Sequence, residues 1–208
     1  MPSGPAVQGW SPVERSAPAR GEAVAEEPVV TYETARLRLR TFGPDDVGPL
    51  CAMNADPVVM EFLGGPRTAA ASLARAEEVE ACFRSEGTGM IAVERRQDGA
   101  FLGIAGLNRL SWYPDDLEVG WRLLPAHWGR GYATEAGRAW IGHPFRRLGA
   151  PRVLSVADAP NVRSRAVMAR LGMRLDHLAL LRDGEDAFEA AVHALGRAEW
   201  EAQGVTPF

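Results

Sequence analysis

Apolar and polar residues alternate with two different periods in the first half of the chain. Arginine and leucine alternate strictly over residues 36–40, which is the period of a β-strand that buries one face through Leu37 and Leu39. Residues 68–84 instead carry apolar side chains three or four positions apart, the period of an α-helix. The pattern therefore predicts a domain that mixes strands and helices.

Two more helical segments are predicted between this strand and this helix. Pro44 is followed by two aspartates, a combination typical of a helix start, and the helix is expected to run to about Asn54. A second, short helical piece is expected over residues 56–63, because it begins at an Asp-Pro pair and is followed by Gly64 and Gly65.

Three strands are predicted in the middle of the chain. Apolar runs at residues 89–95 and 100–107 are separated by Gln-Asp-Gly, which indicates a hairpin. A loop is expected at residues 111–116, followed by a strand at residues 117–124. Strand alternation assigns the residues of this third strand to two faces: Leu117, Val119, Trp121 and Leu123 lie on one, and Glu118, Gly120 and Arg122 on the other.

The remaining segments predict a helix, a strand, a second helix and a hairpin. The first helix contains Pro144, which is expected to break or kink it near residues 142–143. A strand follows at residues 152–157, then a helix from Asn161 to Leu171. Residues 173–181 and 187–195 are expected to pair as a hairpin around an Asp-Gly turn at residues 183–184.

A glycine-containing turn lies between the third strand and the helix that contains Pro144. The segment reads WGRGYATEA over residues 128–136. Gly129 and Gly131 lack a Cβ atom, so the turn can adopt conformations closed to other residues and a ligand can approach its main chain. Amides at a helix N-terminus favour a phosphate or pyrophosphate. The spacing matches neither a P-loop nor a dinucleotide fingerprint.

This segment resembles the acyl-CoA pyrophosphate loop of the GNAT N-acetyltransferase superfamily. The family pattern Gln/Arg-x-x-Gly-x-Gly/Ala falls on Trp128, Gly131 and Ala133, with tryptophan at the position of the usual Gln or Arg. That departure is similar to the Rim-type branch, which acetylates ribosomal-protein N-termini and commonly has Trp-Gly-Lys/Arg-Gly-Tyr-Ala-Thr-Glu-Ala. The resemblance spans about residues 31–200 and implies an α/β fold with about seven strands. The sheet is expected to be mixed and mostly antiparallel, with a splayed central strand pair and flanking helices.

A second family motif is NVRSRAVMARLGM at residues 161–173. The resemblance implies that Asn161 binds the pantetheine arm or orders the cleft, and that Ser164 lies near the sulfur. Many family members have a tyrosine acid where this chain has Met168, so Ser164 is the candidate partner of the leaving thiolate. Two plainer interpretations stay open: Asn161 is also a good helix N-cap, and Ser164 is compatible with a surface serine.

Glu118 is the candidate general base. Amine acetylation needs a deprotonated amine, a stabilised oxyanion and a protonated leaving thiolate. Glu118 can accept the amine proton directly or through water if partial burial raises its pKa, but it could equally be a solvated carboxylate. Main-chain amides of residues 121–124 could stabilise the oxyanion. The residues expected to bind acetyl-CoA are Leu123, Leu124, Trp128, Gly129, Arg130, Gly131, Tyr132, Ala133, Asn161 and Ser164.

Composition narrows the function without identifying it. The net charge is −4 and no basic patch stands out, which argues against a nucleic-acid partner. All 23 basic residues are arginine. Cys51 and Cys82 are expected to be small buried residues on helices, and the four histidines suggest no metal site. The sequence lacks an apolar run long enough for a membrane span and a signal-peptide pattern, so a cytoplasmic location is expected.

Residues 1–28 are rich in Pro, Ala, Glu and Gly and predict a disordered or loosely docked extension, followed by one domain at residues 29–208. The predicted function is transfer of an acetyl group from acetyl-CoA to a primary amine in a ternary complex, by a monomer or a homodimer. The acceptor is either a peptide or protein N-terminus or a small amine. An acyl-CoA-binding sensor or scaffold without turnover is the alternative.

Overall fold

The computed structural model describes residues 29–183 and 186–204. The predicted extension at residues 1–28 and the Gly184 turn lie outside these residues. The described part forms one eight-stranded sheet in the order β1-β2-β3-β4-β5-β6-β8-β7. Its strands are β1 (Val30–Glu33), β2 (Leu37–Arg40), β3 (Met90–Arg95), β4 (Phe101–Leu110), β5 (Tyr113–Leu123), β6 (Arg152–Asp158), β7 (Arg174–Asp183) and β8 (Asp186–Gly196).

Within the described residues, five α-helices flank the sheet, and the predicted α/β class with a mixed, mostly antiparallel sheet is confirmed. The only parallel neighbours among the described strands are β5 and β6. The additional strand relative to the predicted seven is β1, which pairs with β2. The helices are α1 (Val47–Ala55), α2 (Ala69–Glu86), α3 (Tyr132–Arg147), α4 (Val162–Arg170) and α5 (Arg197–Ala202).

Four local predictions are wrong. Residues 56–63 form turns rather than a short helix, and the expected loop at residues 111–116 shrinks to a turn because β5 already begins at Tyr113. Helix α3 continues past Pro144 to Arg147, since the carbonyl of Pro144 still accepts a hydrogen bond from the amide of Leu148 at 3.2 Å. Both cysteines lie on helices as predicted, yet Cys82 is exposed and Cys51 only partly buried.

The main core lies between the sheet and α3. The buried face of β5 supplies Val119 and Leu123, and α3 supplies Trp140 and Phe145, all at most 5% exposed. A second cluster packs α1 against the opposite face of the sheet through Leu50 and Met53. Packing on both faces fixes β5 in the middle of the molecule, with one row of side chains turned toward α3 and the other toward α1.

Gly106 controls how closely β3 and β4 approach each other. A Cβ atom at this position would overlap the carbonyl oxygen of Gly89, whereas one at Gly48 in α1 would meet nothing within 4 Å. The close β3–β4 contact supports the register between β4 and β5, in which Asn108 lies opposite Glu118.

We therefore expect Gly106→Ala to destabilise the fold by roughly 3 kcal/mol, because the backbone must shift to relieve the overlap. Gly48→Ala is the matched control and should stabilise the fold by about 0.5–1 kcal/mol through helix propensity. Urea unfolding of both variants measures the difference. Equal stabilities would show that the β3–β4 contact does not depend on glycine.

Candidate functional site

A cavity of about 980 Å³ opens where β5 and β6 separate. The two strands pair only at Leu117 with Val153 and at Glu118 with Leu154, and no residue pairs beyond these are present in the described strands. Beyond that point β5 and β6 line the cavity from opposite sides, and α1, α2 and α4 contribute further walls. The predicted splayed strand pair therefore opens onto this cavity.

Glu118 lies in this cavity and is held by two hydrogen bonds. The side-chain amide of Asn108 donates to one carboxylate oxygen at 3.1 Å, and the backbone amide of Val156 donates to the other at 3.3 Å. Burial raises the pKa of Glu118 to about 7, even though both hydrogen bonds favour the charged form. A carboxylate with this pKa can accept a proton near neutral pH, so Glu118 is not an ordinary solvated surface group.

The amide and carbonyl groups of successive β5 residues point alternately toward β4 and toward the cavity. The amide of Leu124 donates to the carbonyl of Leu102 at 2.9 Å, and its carbonyl accepts from the amide of His127 at 2.9 Å. Both groups of Leu124 are therefore engaged, and the expected oxyanion donors at residues 121–124 do not include it. Because alternate residues of a strand point their main-chain groups to opposite sides, the amides of Trp121 and Leu123 point away from β4.

The glycine turn leads from β5 into α3. Gly129 and Gly131 have φ angles of 72° and 79°, in the left-handed region that favours glycine. Gly131 is the N-cap of α3, and its carbonyl accepts the amide of Glu135 at 3.0 Å. The first amides of the helix, at residues 132–134, precede the first intrahelical bond and point out of the helix end. This arrangement suits a phosphate group, since the helix dipole adds positive potential there.

Aromatic side chains on either side of the glycines fix the turn. The indole Nε1 of Trp128 donates to the carbonyl of Leu123 at 2.7 Å, and the guanidinium of Arg163 lies 4.4 Å from a Trp128 ring centroid. Tyr132 is 8% exposed and its ring packs in the main core. Tyr132 therefore offers a ligand its main-chain amide, while its phenol ring contributes to stability.

A charged network ties the turn to the first strand pair. Glu135 accepts hydrogen bonds from Thr34 Oγ1 at 2.5 Å and from Arg36 Nε at 2.6 Å, and Arg36 Nη1 donates to the carbonyl of Arg130 at 3.0 Å. Burial acts to raise the pKa of Glu135, but these hydrogen bonds outweigh it and lower the pKa overall. Glu135 thus remains a carboxylate that anchors the turn, in addition to complementing the helix dipole.

Helix α4 begins at the second motif, on the far side of the cavity. The side chain of Asn161 accepts a hydrogen bond from the amide of Ser164 at 3.1 Å, so Asn161 is the N-cap of α4. Both residues also line the cavity. Met168 is fully buried in the main core.

The structure brings most of the predicted site residues into one cavity and leaves two outside it. Leu124 and Arg130 do not line it. Sequence reasoning missed Asn108, which the hairpin register places opposite Glu118, and Arg163, which stacks on Trp128. The predicted residues that line the cavity are Glu118, Leu123, Trp128, Gly129, Gly131, Tyr132, Ala133, Asn161 and Ser164.

Metal sites and membrane-spanning helices are both absent from residues 29–183 and 186–204. No group of three or more histidine, cysteine or acidic side chains in this part of the chain is placed to hold a metal ion. None of its helices is both long enough and apolar enough to cross a membrane.

Comparisons with known proteins agree with this geometry. Residues 36–174 match the family model described as an acetyltransferase (GNAT) domain. The chain is 32% identical over 152 residues to the FsC-acetyl coenzyme A-N(2)-transacetylase of Aspergillus fumigatus, a match that covers 69% of this chain and 64% of that protein. The chain therefore spans less than two thirds of the length of this relative.

Solved structures show the same fold. An acetyltransferase from Agrobacterium tumefaciens has a TM-score of 0.68 at 27% identity, covering 85% of this chain and all of the other. The ribosomal-protein alpha-N-acetyltransferase RimL has a TM-score of 0.69 at 16% identity, covering 85% of this chain and 98% of the other. The glycine turn, the splayed strand pair and the family match over residues 36–174 lead to one conclusion: the chain belongs to the GNAT acetyltransferase family.

Proposed function

We propose that this protein transfers the acetyl group of acetyl-CoA to a primary amine by direct attack, with Glu118 as the base. The observation that carries the proposal is the position of Glu118, which lines the same cavity as the glycine turn. Its pKa is raised to about 7. The name of the Aspergillus relative describes transfer from acetyl coenzyme A to a nitrogen, which supports the same reaction class here. The acceptor is a small amine or a peptide N-terminus.

Each chemical requirement can be assigned to a group of this chain. The amides of Trp121 and Leu123 face the open side of β5 and can donate to the oxyanion that forms when the amine attacks the thioester carbonyl carbon. Glu118 accepts the proton that the amine loses as the new C–N bond forms. The C–S bond then breaks, and the Ser164 hydroxyl can donate to the departing thiolate. The helix α3 amides beyond Gly131 would hold the pyrophosphate.

The reaction class is tested by an acceptor panel. Small primary amines and short peptides with free N-termini are each incubated with acetyl-CoA, and release of the free thiol is measured. We expect at least one group of acceptors to give saturable thiol release above the rate of hydrolysis. A flat panel together with tight CoA binding would overturn the proposal and favour an acyl-CoA-binding domain without turnover.

Replacement of the base should change the pH profile. Glu118→Gln keeps the size of the side chain but cannot accept a proton, so kcat/KM should fall roughly 10²-fold to 10⁴-fold. In the wild type, the limb along which kcat/KM rises toward pH 7 should reflect Glu118, because only its ionised form is a base. The limb should disappear or move in the variant while CoA affinity stays unchanged.

The matched control for this change is Glu77→Gln, which removes one carboxylate from the exposed surface of α2. Its pH profile should overlay that of the wild type. If Glu118→Gln also leaves the profile unaltered, Glu118 has no part in proton transfer and the amine must enter already deprotonated.

The Ser164 hydroxyl can be tested without disturbing α4. Asn161 caps the helix through the amide of Ser164, so Ser164→Ala retains this hydrogen bond. We expect kcat to fall roughly 10-fold to 100-fold while the KM for acetyl-CoA changes little, since help to the thiolate arises mainly in the transition state. Steady-state kinetics of the variant measures both quantities.

Ser85→Ala is the control, because that hydroxyl lies on α2 and donates to the carbonyl of Ala81 at 3.0 Å. It should leave kcat unchanged. A higher KM at constant kcat in Ser164→Ala would assign Ser164 to pantetheine binding. Unchanged values of both would make it a surface serine.

A further inference from the structure

The row of β5 side chains that begins with Glu118 continues through Gly120 to Arg122, and Arg122 faces the same cavity. Its Nη1 donates to Asn54 Oδ1 at 2.6 Å. Its Nε is buried and has no hydrogen-bond partner within residues 29–183 and 186–204. A buried donor without an acceptor is costly, and in a cavity it indicates a group that a ligand can satisfy.

Two more arginines surround Arg122 on the wall formed by α1 and α2. Arg67 lies just before α2 and Arg75 within it, and both line the cavity. Burial, together with the smaller effect of the positive charges of Arg67 and Arg75, lowers the pKa of Arg122 to about 10. Arg122 is still protonated at neutral pH, so this wall carries like charges that repel one another.

Carboxylates line other parts of the cavity. Glu61 lies 3.7 Å from Arg163, and Arg75 has Glu78 as an ion-pair partner at 3.1 Å on its own helix. Asp158 is the last residue of β6, Asp183 the last of β7 and Asp186 the first of β8, and all three line the cavity. None of these acids is among the groups that shift the pKa of Arg122. The wall around Arg122 therefore suits an anion that comes with a ligand.

We propose that the acceptor is a primary amine that also carries a carboxylate, and that Arg122, together with Arg67 and Arg75, binds this carboxylate. The proposal deepens the proposed function and rests on it, because it assigns the amine to the Glu118 end of the cavity. A guanidinium fork matches a carboxylate in planar, bidentate geometry. The Cα atoms of Glu118 and Arg122 are about 13 Å apart, four residues at ~3.3 Å each.

This separation predicts an acceptor whose amine and carboxylate are several bonds apart. The side chains of Glu118 and Arg122 are long and can each extend toward one end of such an acceptor. An ω-amino acid and a peptide with an acidic residue near its free N-terminus share this chemistry. Neutral amines of the same size would leave the guanidinium Nε without an acceptor, so they should bind less well.

The test compares matched acids and amides as acceptors of the wild-type protein. One arm uses ω-amino carboxylic acids of increasing length and their primary amides. The other uses short peptides that differ by Glu or Gln at the second or third position. We expect kcat/KM to favour the acid of each pair by roughly 10-fold to 100-fold, mostly through KM. The arm with the larger preference identifies the source of the carboxylate.

Substitutions of Arg122 and Arg67 test whether these arginines cause the preference for acidic acceptors. Arg122→Gln and Arg67→Gln should each raise the KM for acidic acceptors and leave neutral ones nearly unchanged, and Arg122→Lys should restore part of the preference. Arg84→Gln is the control, because Arg84 is on the exposed side of α2 and pairs with Glu80 at 3.1 Å. Arg67 lies in a partly exposed segment, so its variant keeps the test valid if Arg122→Gln folds poorly.

The outcomes separate this inference from the proposed function. Thiol release with equal kcat/KM for acids and amides would overturn the inference and leave the proposed function standing. A CoA affinity that falls in Arg122→Gln would also overturn it, because Arg122 would then serve the cofactor side. If no acceptor reacts, the proposed function fails. Calorimetry with glutarate and glutaramide then still tests whether the cavity binds a carboxylate. Glutarate binding that is lost in Arg122→Gln supports the carboxylate site, and absence of glutarate binding overturns it.

Discussion

The separation of β5 from β6 is the constraint on which the site depends. Parallel pairing stops after Glu118 and Leu154, so the main-chain groups of β5 beyond that point lack a neighbouring strand on one side. Unpaired main-chain groups are costly when they are buried away from water. In this fold the separation leaves these groups facing the cavity. Both ligand motifs begin where the two strands end, with the glycine turn after β5 and the Asn161 cap after β6.

The opening also holds Glu118 in a position where its ionised form is destabilising. Its folded-state pKa is raised above the ordinary value for glutamate. A carboxyl with a raised pKa contributes stability below its unfolded-state pKa, near 4.5, and loses that contribution as the pH rises through about 7. At pH values where Glu118 is ionised, its charge therefore opposes folding. The hydrogen bonds from Asn108 and Val156 limit this cost without removing it.

Local patterns predicted most of the fold, and the errors have physical reasons. The strict alternation at Leu37 and Leu39 identified β2, because one buried face imposes it. Residues 56–63 form turns although their Asp-Pro start is typical of a helix, since tertiary contacts rather than propensity decide so short a segment. Likewise, Pro144 removes one donor from α3, yet burial of Trp140 and Phe145 in the core on either side holds the helix together.

The sequence predicted the part of the candidate site around the glycine turn and Asn161 better than the part around Glu118 and Arg122. The glycine turn and the Asn161 cap are local motifs, so their residues could be identified along the chain. Strand alternation already placed Arg122 on the face of Glu118, but the positions of Asn108 opposite Glu118 and of Arg67 near Arg122 follow only from strand register and tertiary packing.

The composition of the chain adds a reason why arginine suits the acceptor side. All 23 basic residues are arginine, so no lysine side chain near the thioester can compete for the acetyl group. A guanidinium stays protonated at working pH and is therefore a poor nucleophile. Arginines next to an activated acyl group can thus bind anions without being consumed, whereas a lysine lowered in pKa by the same burial would become a better amine acceptor. In the proposed site, the charge that would recognise the acceptor is therefore chemically distinct from the amine that would react.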